Sequence, residues 1–275
     1  MIYRKPSAGR TGCKKAILQN FRKTEPPSRA FYKPSWRLSD ALLSLTPMPG
    51  TFTLVLETST PRASIATIQP DGNLKQREFT SARSHNALLF SPLQELLDAR
   101  QSAEIGLVLV GSGPGSYSGT RVGIAAAQGV AIAAGCPAVA LPSILGVPSA
   151  VNGAACLAIG DARRGSFWTA MIKDSHLQAE PELTDAVGLE AIVSASIAAD
   201  IPVISLEETA NFPLSPELIG QVRLEFPDAT RLWNAWQSSA LQTRDRWTSE
   251  PPQPIYLKPP HITPAKRPWW LQPQT

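Results

Sequence analysis

The strongest constraint in this sequence is a glycine-rich turn between an apolar strand and an apolar helix, within residues 107–141. Residues 107–110 are all apolar, which is typical of a buried strand. A helix is predicted over residues 121–134 and a second strand over residues 138–141. A strand, turn, helix and strand in this order predict a parallel sheet, because parallel neighbours need a crossover connection.

Two interpretations of the glycine-rich turn are open. In the first, backbone N–H groups ahead of a helix bind an anion, and the candidates for an anion or nucleotide loop are Gly113, Gly115, Ser116, Ser118, Gly119 and Arg121. In the second, the turn is structural and Arg121 pairs with a side chain. A cation in the first helical turn needs a negative neighbour, because the helix dipole disfavours it there. The turn matches neither the Walker motif nor the dinucleotide fingerprint.

Charge is distributed unevenly along the chain. Residues 1–50 carry 10 Lys and Arg but 2 Asp and Glu, whereas the whole chain has a net charge of +4. The remainder is therefore mildly acidic. Residues 1–47 are interpreted either as a basic, disordered leader or as an upstream extension created by a misplaced start, in which case Met48 is the true first residue. An RNA-binding arm and an organelle transit peptide are the other readings.

The body of the chain predicts two related lobes. Residues 48–142 read as three strands, a helix, a strand, a helix and a strand, with hairpin and periodicity signals at the expected places. Residues 143–243 repeat a hairpin, a helix and a strand, and helices are predicted over 217–223 and 229–242. Residues 244–275 are rich in proline, which predicts an extended surface tail.

The two helices of the first lobe carry a candidate partner interface. Leu89 and Leu93 lie on one stripe of the helix predicted over residues 86–99. Gly123, Ala127 and Ala131 recur every four residues and form a smooth ridge on the next helix. The ridge has two interpretations: packing against its own sheet, or contact with a helix of another subunit. We predict that these five residues contact a partner.

Four segments resemble, in order, the blocks of the bacterial TsaB (YeaZ) family: ETST at 57–60, GPGSYSGTRVG at 113–123, DARRG at 161–165 and IYLK at 255–258. The resemblance implies an α/β, actin-like and Hsp70-like (ASKHA) fold with two ribonuclease-H-like lobes, whose mixed sheets are flanked by helices. It also implies a part in making N6-threonylcarbamoyladenosine in tRNAs that read codons beginning with A. The family is a degenerate paralogue of TsaD, which it activates by dimerisation, together with the ATPase TsaE. The family usually has Asp where Glu57 stands.

The sequence argues against a reaction centre of its own. Three scattered histidines do not form a ligand set, so no metal is expected. A nucleophile elbow is missing, and residues 201–224 lack the Gly-Gly turn that holds adenosine in actin-like enzymes. We therefore predict no catalytic residue and no cofactor of its own, with ATP or ADP at most shared at a subunit boundary. Asp161, Arg163 and Arg164 form a charged turn near the expected cleft, either as a solvated hairpin tip or as a contact with a partner or tRNA.

The resulting hypothesis is a non-catalytic subunit that binds TsaD, works with TsaE and reaches tRNA indirectly. The alternative is a free-standing, ATP-dependent actin-like phosphotransferase acting on a small molecule. A homodimeric regulator is a third option. Three widely spaced cysteines without a CxxC pair are typical of a reducing compartment, so a cytoplasmic location is predicted, with no membrane partner.

Overall fold

The computed structural model describes residues 50–80, 85–99, 103–151, 153–207 and 212–258. The predictions for residues 1–47, and for the tail beyond residue 258, concern residues outside these ranges. Among the described residues, no helix combines the length and the apolar composition that crossing a bilayer requires.

The first half of the described chain forms a mixed sheet of five strands: β1 (Phe52–Glu57), β2 (Arg62–Ile68), β3 (Leu74–Thr80), β4 (Ile105–Gly111) and β5 (Ala138–Leu141). Their order in the sheet is β3-β2-β1-β4-β5. Strands β1, β2 and β3 are antiparallel, whereas β4 and β5 run parallel to β1. Helices α1 (His85–Asp98) and α2 (Tyr117–Ala134) lie in the two crossovers. The predicted order of three strands, helix, strand, helix and strand is therefore confirmed.

The second half repeats this plan with several shorter strands: β6 (Cys156–Asp161), β7 (Phe167–Lys173), β8 (His176–Leu177), β9 (Glu182–Thr184), β10 (Val203–Ser205) and β11 (Val222–Leu224). Their order in the sheet is β11-β10-β6-β7-β8, with β9 also paired to β7. Strands β6, β10 and β11 are parallel, and the partners of β7 are antiparallel to it. The helices are α3 (Pro148–Val151), α4 (Ala186–Ala198), α5 (Pro216–Ile219), α6 (Ala229–Ser238) and α7 (Leu241–Ser249).

Alternation along the strands explains how each sheet acquires two buried faces. In β1, Leu54 and Leu56 pack with helices α1 and α2, whereas Val55 points to the other face and packs with α6. In β6, Leu157 and Ile159 face α4. The remaining apolar positions of β6 join a cluster that includes α6. Helix α6 therefore contributes to the cores beneath both sheets.

Three element predictions are corrected by the structure. The helix predicted over 217–223 is the short helix α5 followed by strand β11, because Gly220 ends the helix. The helix predicted over 229–242 is two helices, which are separated at Ser239. The tail predicted from residue 244 begins inside α7, so extended chain follows only after that helix. The lobe boundary at residue 142 stays a prediction.

Candidate functional site

The turn after β1, residues 57–61, lies against the glycine-rich turn after β4, because the carboxyl ends of neighbouring parallel strands meet at one edge of a sheet. We call residues 57–61 the glutamate turn and residues 112–116 the glycine loop. Glu57, Thr58, Ser59 and Thr60 are all buried. Oε1 of Glu57 accepts a hydrogen bond from the Ser59 N–H at 2.6 Å, and the Thr58 hydroxyl donates to the carbonyl of Gly119 at 2.8 Å.

Three glycines permit this close contact. A Cβ on Gly111 would lie 1.9 Å from Oε2 of Glu57, and one on Gly115 would lie 2.3 Å from the carbonyl oxygen of Ser59. A Cβ on Gly123, in helix α2, would lie 2.2 Å from Oγ1 of Thr58. The glycines thus serve to bring the chain's own backbone together, which is one of the established uses of the residue.

The Glu57 carboxyl is an unusual buried acid. Its Oε2 has no hydrogen-bond partner among the described residues. Burial raises the pKa of Glu57 above its ordinary value, an effect that exceeds the lowering by its polar neighbours Ser59 and Ser143. The charge of Asp228 raises this pKa further. The direction of this shift follows from burial, because an isolated carboxylate is costly to bury.

The N–H groups of the glycine loop are largely used within the chain. Gly113 N–H donates to Oγ of Ser143 at 2.9 Å, and Ser116 N–H donates to the carbonyl of Ser59 at 2.6 Å. Oγ of Ser116 caps helix α2 by accepting from Gly119 N–H at 3.2 Å. Among the predicted anion-loop residues, Gly115, Ser118 and Arg121 are exposed. The anion role of this loop stays a prediction.

The position of Arg121 differs from the prediction. Helix α2 begins at Tyr117, so Arg121 lies beyond the first helical turn. Its guanidinium lies 5.1 Å from the centre of the Tyr117 ring and donates a hydrogen bond to the Tyr117 hydroxyl. These contacts match the interpretation in which Arg121 pairs with a side chain.

The predicted partner ridge is buried inside the chain's own lobe. The predicted interface residues all lie below the surface: Leu89, Leu93, Gly123, Ala127 and Ala131. Four of them belong to the cluster that joins α1 and α2 to the first sheet. This burial corrects the interface prediction, because side chains covered by their own sheet are not available to a partner while the lobe is folded. The small residues allow α2 to approach its own sheet and the glutamate turn.

Residues 161–165, here called the arginine turn, follow β6 at the corresponding edge of the second sheet. Asp161 accepts from the backbone N–H and the guanidinium of Arg163, the latter at 2.8 Å. Glu207 accepts from the Asp161 N–H at 2.6 Å, and burial raises the pKa of Glu207. Among the described residues, no group of three His, Cys, Asp or Glu side chains is arranged to hold a metal ion.

An extended segment, residues 251–258, links the two turns, and we call it the C-terminal strap. The Ile255 N–H donates to the carbonyl of Ser112 at 2.9 Å, beside the glycine loop. The Tyr256 ring lies 6.1 Å from the Tyr117 ring, centre to centre. Nζ of Lys258 donates to the carbonyl of Arg163 at 2.8 Å, in the arginine turn. The strap therefore contacts the turn that carries Arg163 and, through Tyr256, the Tyr117 ring over which Arg121 lies.

Two residues of this region were not predicted. Ser143 supports the glycine loop, and Glu207 holds the arginine turn through the Asp161 N–H. Each follows closely after a parallel strand, β5 and β10 respectively. A search of the residues that follow every predicted parallel strand would have identified both.

Comparison with known proteins agrees with this architecture. The family model described as TsaD, tRNA N6-adenosine threonylcarbamoyltransferase, matches residues 79–231, which is more than half of the chain. The tRNA threonylcarbamoyladenosine biosynthesis protein TsaB of Escherichia coli K12 is 30% identical over 141 residues, or 49% of this chain and 61% of that protein. The matched region is thus less than two thirds of the length of that curated relative.

Two solved structures from Pseudomonas aeruginosa have the same fold. A protein with similarity to peptidase YeaZ has a TM-score of 0.58 at 21% identity, covering 76% of this chain and 100% of its own. YeaZ itself has a TM-score of 0.53 at 19% identity, covering 75% and 100%.

The two similar sheets and the turns at their carboxyl edges define an actin-like α/β protein with two ribonuclease-H-like lobes. The family model and the curated relative identify the family within this fold class. The chain belongs to the TsaB/YeaZ family, within the group that the threonylcarbamoyltransferase model describes.

Proposed function

We propose that this protein is a non-catalytic, activating subunit for the transfer of a threonylcarbamoyl group to N6 of adenosine in tRNA. Its partner in this proposal is a TsaD-type transferase, assisted by a TsaE-type ATPase, in the cytoplasm. The family membership supports the pathway.

One observation supports the non-catalytic part of the proposal. The glutamate turn, which an actin-like enzyme would need for phosphate, is buried beneath the glycine loop and helix α2. Atoms of the glutamate turn fill the space that a Cβ on Gly111, Gly115 or Gly123 would occupy. This contact leaves no room for a ligand between the glutamate turn and the glycine loop. Burial also disfavours the charged form of Glu57, which is the form that a cation would bind.

The exposed face of helix α2 is the better candidate for docking the transferase. Ile132 is 82% exposed, and Ala125 and Gly129 lie on the same face at helical spacing. Leu88 and Phe90 on α1 are further large apolar side chains that are exposed. Large exposed apolar side chains surrounded by small ones are typical of a helix-packing surface.

Coexpression with the organism's TsaD-type and TsaE-type proteins tests this function. We expect the complex to elute as one species and to restore threonylcarbamoyladenosine, measured by mass spectrometry of tRNA digests. Ile132→Asp should abolish coelution, because the complex would bury an unpaired charge. The matched control is Val187→Asp on α4, where the side chain is 77% exposed, and this variant should leave the complex intact.

Two results would contradict the proposal. Normal modification in the absence of this protein would remove the activating role. Micromolar, magnesium-dependent ATP binding by the isolated chain in calorimetry would favour the alternative phosphotransferase.

A further inference from the structure

We infer that the surface formed by the arginine turn, the strap and the start of helix α2 binds single-stranded RNA. The inference rests on the proposed function for the choice of tRNA as the natural source of that RNA. The recognition chemistry, exposed tyrosines beside cations, comes from the described residues themselves.

The aromatic part of this surface is a pair of tyrosines contributed by distant parts of the chain. Tyr117 opens helix α2 and Tyr256 lies on the strap, with an angle of 47° between their rings. Both side chains are more than half exposed. Exposed aromatic rings on a structured surface provide stacking platforms for unpaired bases of any sequence.

Cations lie on both sides of the tyrosine pair. The Arg121 guanidinium lies over the Tyr117 ring. Lys258 lies two residues beyond Tyr256 and contacts the arginine turn, which carries Arg163 and Arg164. Two acids lie beside these four cations, because Asp161 pairs with Arg163 and Glu207 accepts from the Asp161 N–H. The surface therefore has a net positive charge next to exposed aromatic rings. This combination is typical of proteins that bind along a phosphodiester backbone.

The backbone of the arginine turn gives a second indication. Arg163 and Arg164 adopt φ values of 66° and 60°, in the left-handed region that favours glycine, and Gly165 follows with φ 68°. Asn or Gly would hold this conformation at lower cost. Arginine at both positions retains charge at the expense of backbone strain, and such strain is commonly found at functional sites.

This backbone geometry allows a test that separates binding from folding. The Arg163→Asn/Arg164→Asn variant removes two charges but suits the left-handed conformation, so its melting temperature should equal or exceed that of the parent chain. Binding of a fluorescein-labelled anticodon stem-loop is measured by anisotropy with the full chain, starting at about 50 mM salt. The slope of log K against log salt should become shallower by about 1.4.

Two further variants complete the experiment. Tyr256→Ala should weaken binding by about five- to 150-fold, the range found for a lost base-stacking contact, whereas Tyr256→Phe should bind like the parent. Arg246→Ala is the charge control, because Arg246 is 67% exposed on α7, comparable to the 74% of Arg163. It should change the affinity by less than about twofold.

Several outcomes would overturn the inference. They are the absence of RNA binding by the parent chain at low salt, an unchanged affinity in the double variant, or an equal loss in Arg246→Ala. If the double variant keeps RNA binding but no longer coelutes with the transferase, the surface docks protein instead. A failure of the parent chain to stimulate tRNA modification would refute the proposed function, whatever the RNA result.

Discussion

The same substitution at two glycines of helix α2 should change stability in opposite directions. Alanine in a helix interior is favoured over glycine by about 1 kcal/mol. Gly129 is exposed, and a Cβ there would meet nothing within 4 Å. We therefore expect Gly129→Ala to raise the free energy of unfolding by about 1 kcal/mol.

Gly123→Ala should be destabilising instead. The new Cβ would lie 2.2 Å from Oγ1 of Thr58, whereas ordinary contact begins at 3.4 Å, so one group must move by about 1.2 Å. Thr58 cannot move freely, because it is completely buried and its hydroxyl donates to Gly119. Overpacking of this kind typically costs about 1–3 kcal/mol, so the two alanine variants should differ by about 2–4 kcal/mol.

Urea unfolding followed by tryptophan fluorescence gives both values, since Trp236 is buried in the core. A double-mutant cycle identifies the cause. Thr58→Ala removes Oγ1 and leaves only Cβ, at 3.4 Å, so Gly123→Ala should cost less in that background by about 1 kcal/mol or more. If Gly123→Ala stabilises the chain as Gly129→Ala does, α2 is not packed on the glutamate turn, and the ridge is available to a partner after all.

Two further predictions concern the buried core. The pKa of Glu57 is higher in the folded chain than in the unfolded chain, so between these two values the folded state binds more protons. The free energy of unfolding should therefore fall as the pH rises above about 4.5. Glu57→Gln should flatten this dependence and be more stable at neutral pH, measured by urea unfolding at several pH values. A Gln variant with an unchanged pH slope would exclude Glu57 as the source. Leu232→Ala should lower the free energy of unfolding by about 2–5 kcal/mol in chemical denaturation, because this α6 side chain is completely buried against the first sheet. A cost below about 1 kcal/mol would show that α6 is only loosely packed.

The element order of the first sheet could be predicted because each segment carries a local signal. The strong turn at Asp71 and Gly72 marks a hairpin, and the glycine loop separates β4 from α2. The split between α6 and α7 has no comparable signal. Ser239 and Ala240 interrupt the helix there without a proline or glycine, and the Ser239 hydroxyl bonds back to Ala235.

The interface prediction failed for a physical reason. A stripe of small residues shows that something approaches the helix closely, but it does not show which element does so. In this chain the stripe through Gly123 and Ala127 is covered by the chain's own sheet and by Thr58. Because Thr58 is distant in sequence, helical periodicity alone cannot reveal this contact. The exposed position of Ile132 likewise emerges only once the buried face is known.

The C-terminal strap has a mechanical consequence. Swinging the two halves apart, as a clamshell enzyme does around its substrate, would pull the strap away from one of them. The loss would be either the Lys258 hydrogen bond to the second half, or the Ile255 hydrogen bond and the Tyr256–Tyr117 contact with the first half. The strap therefore favours the closed arrangement of the two halves. A macromolecule that binds there meets a preformed surface instead of a cleft that must close around it.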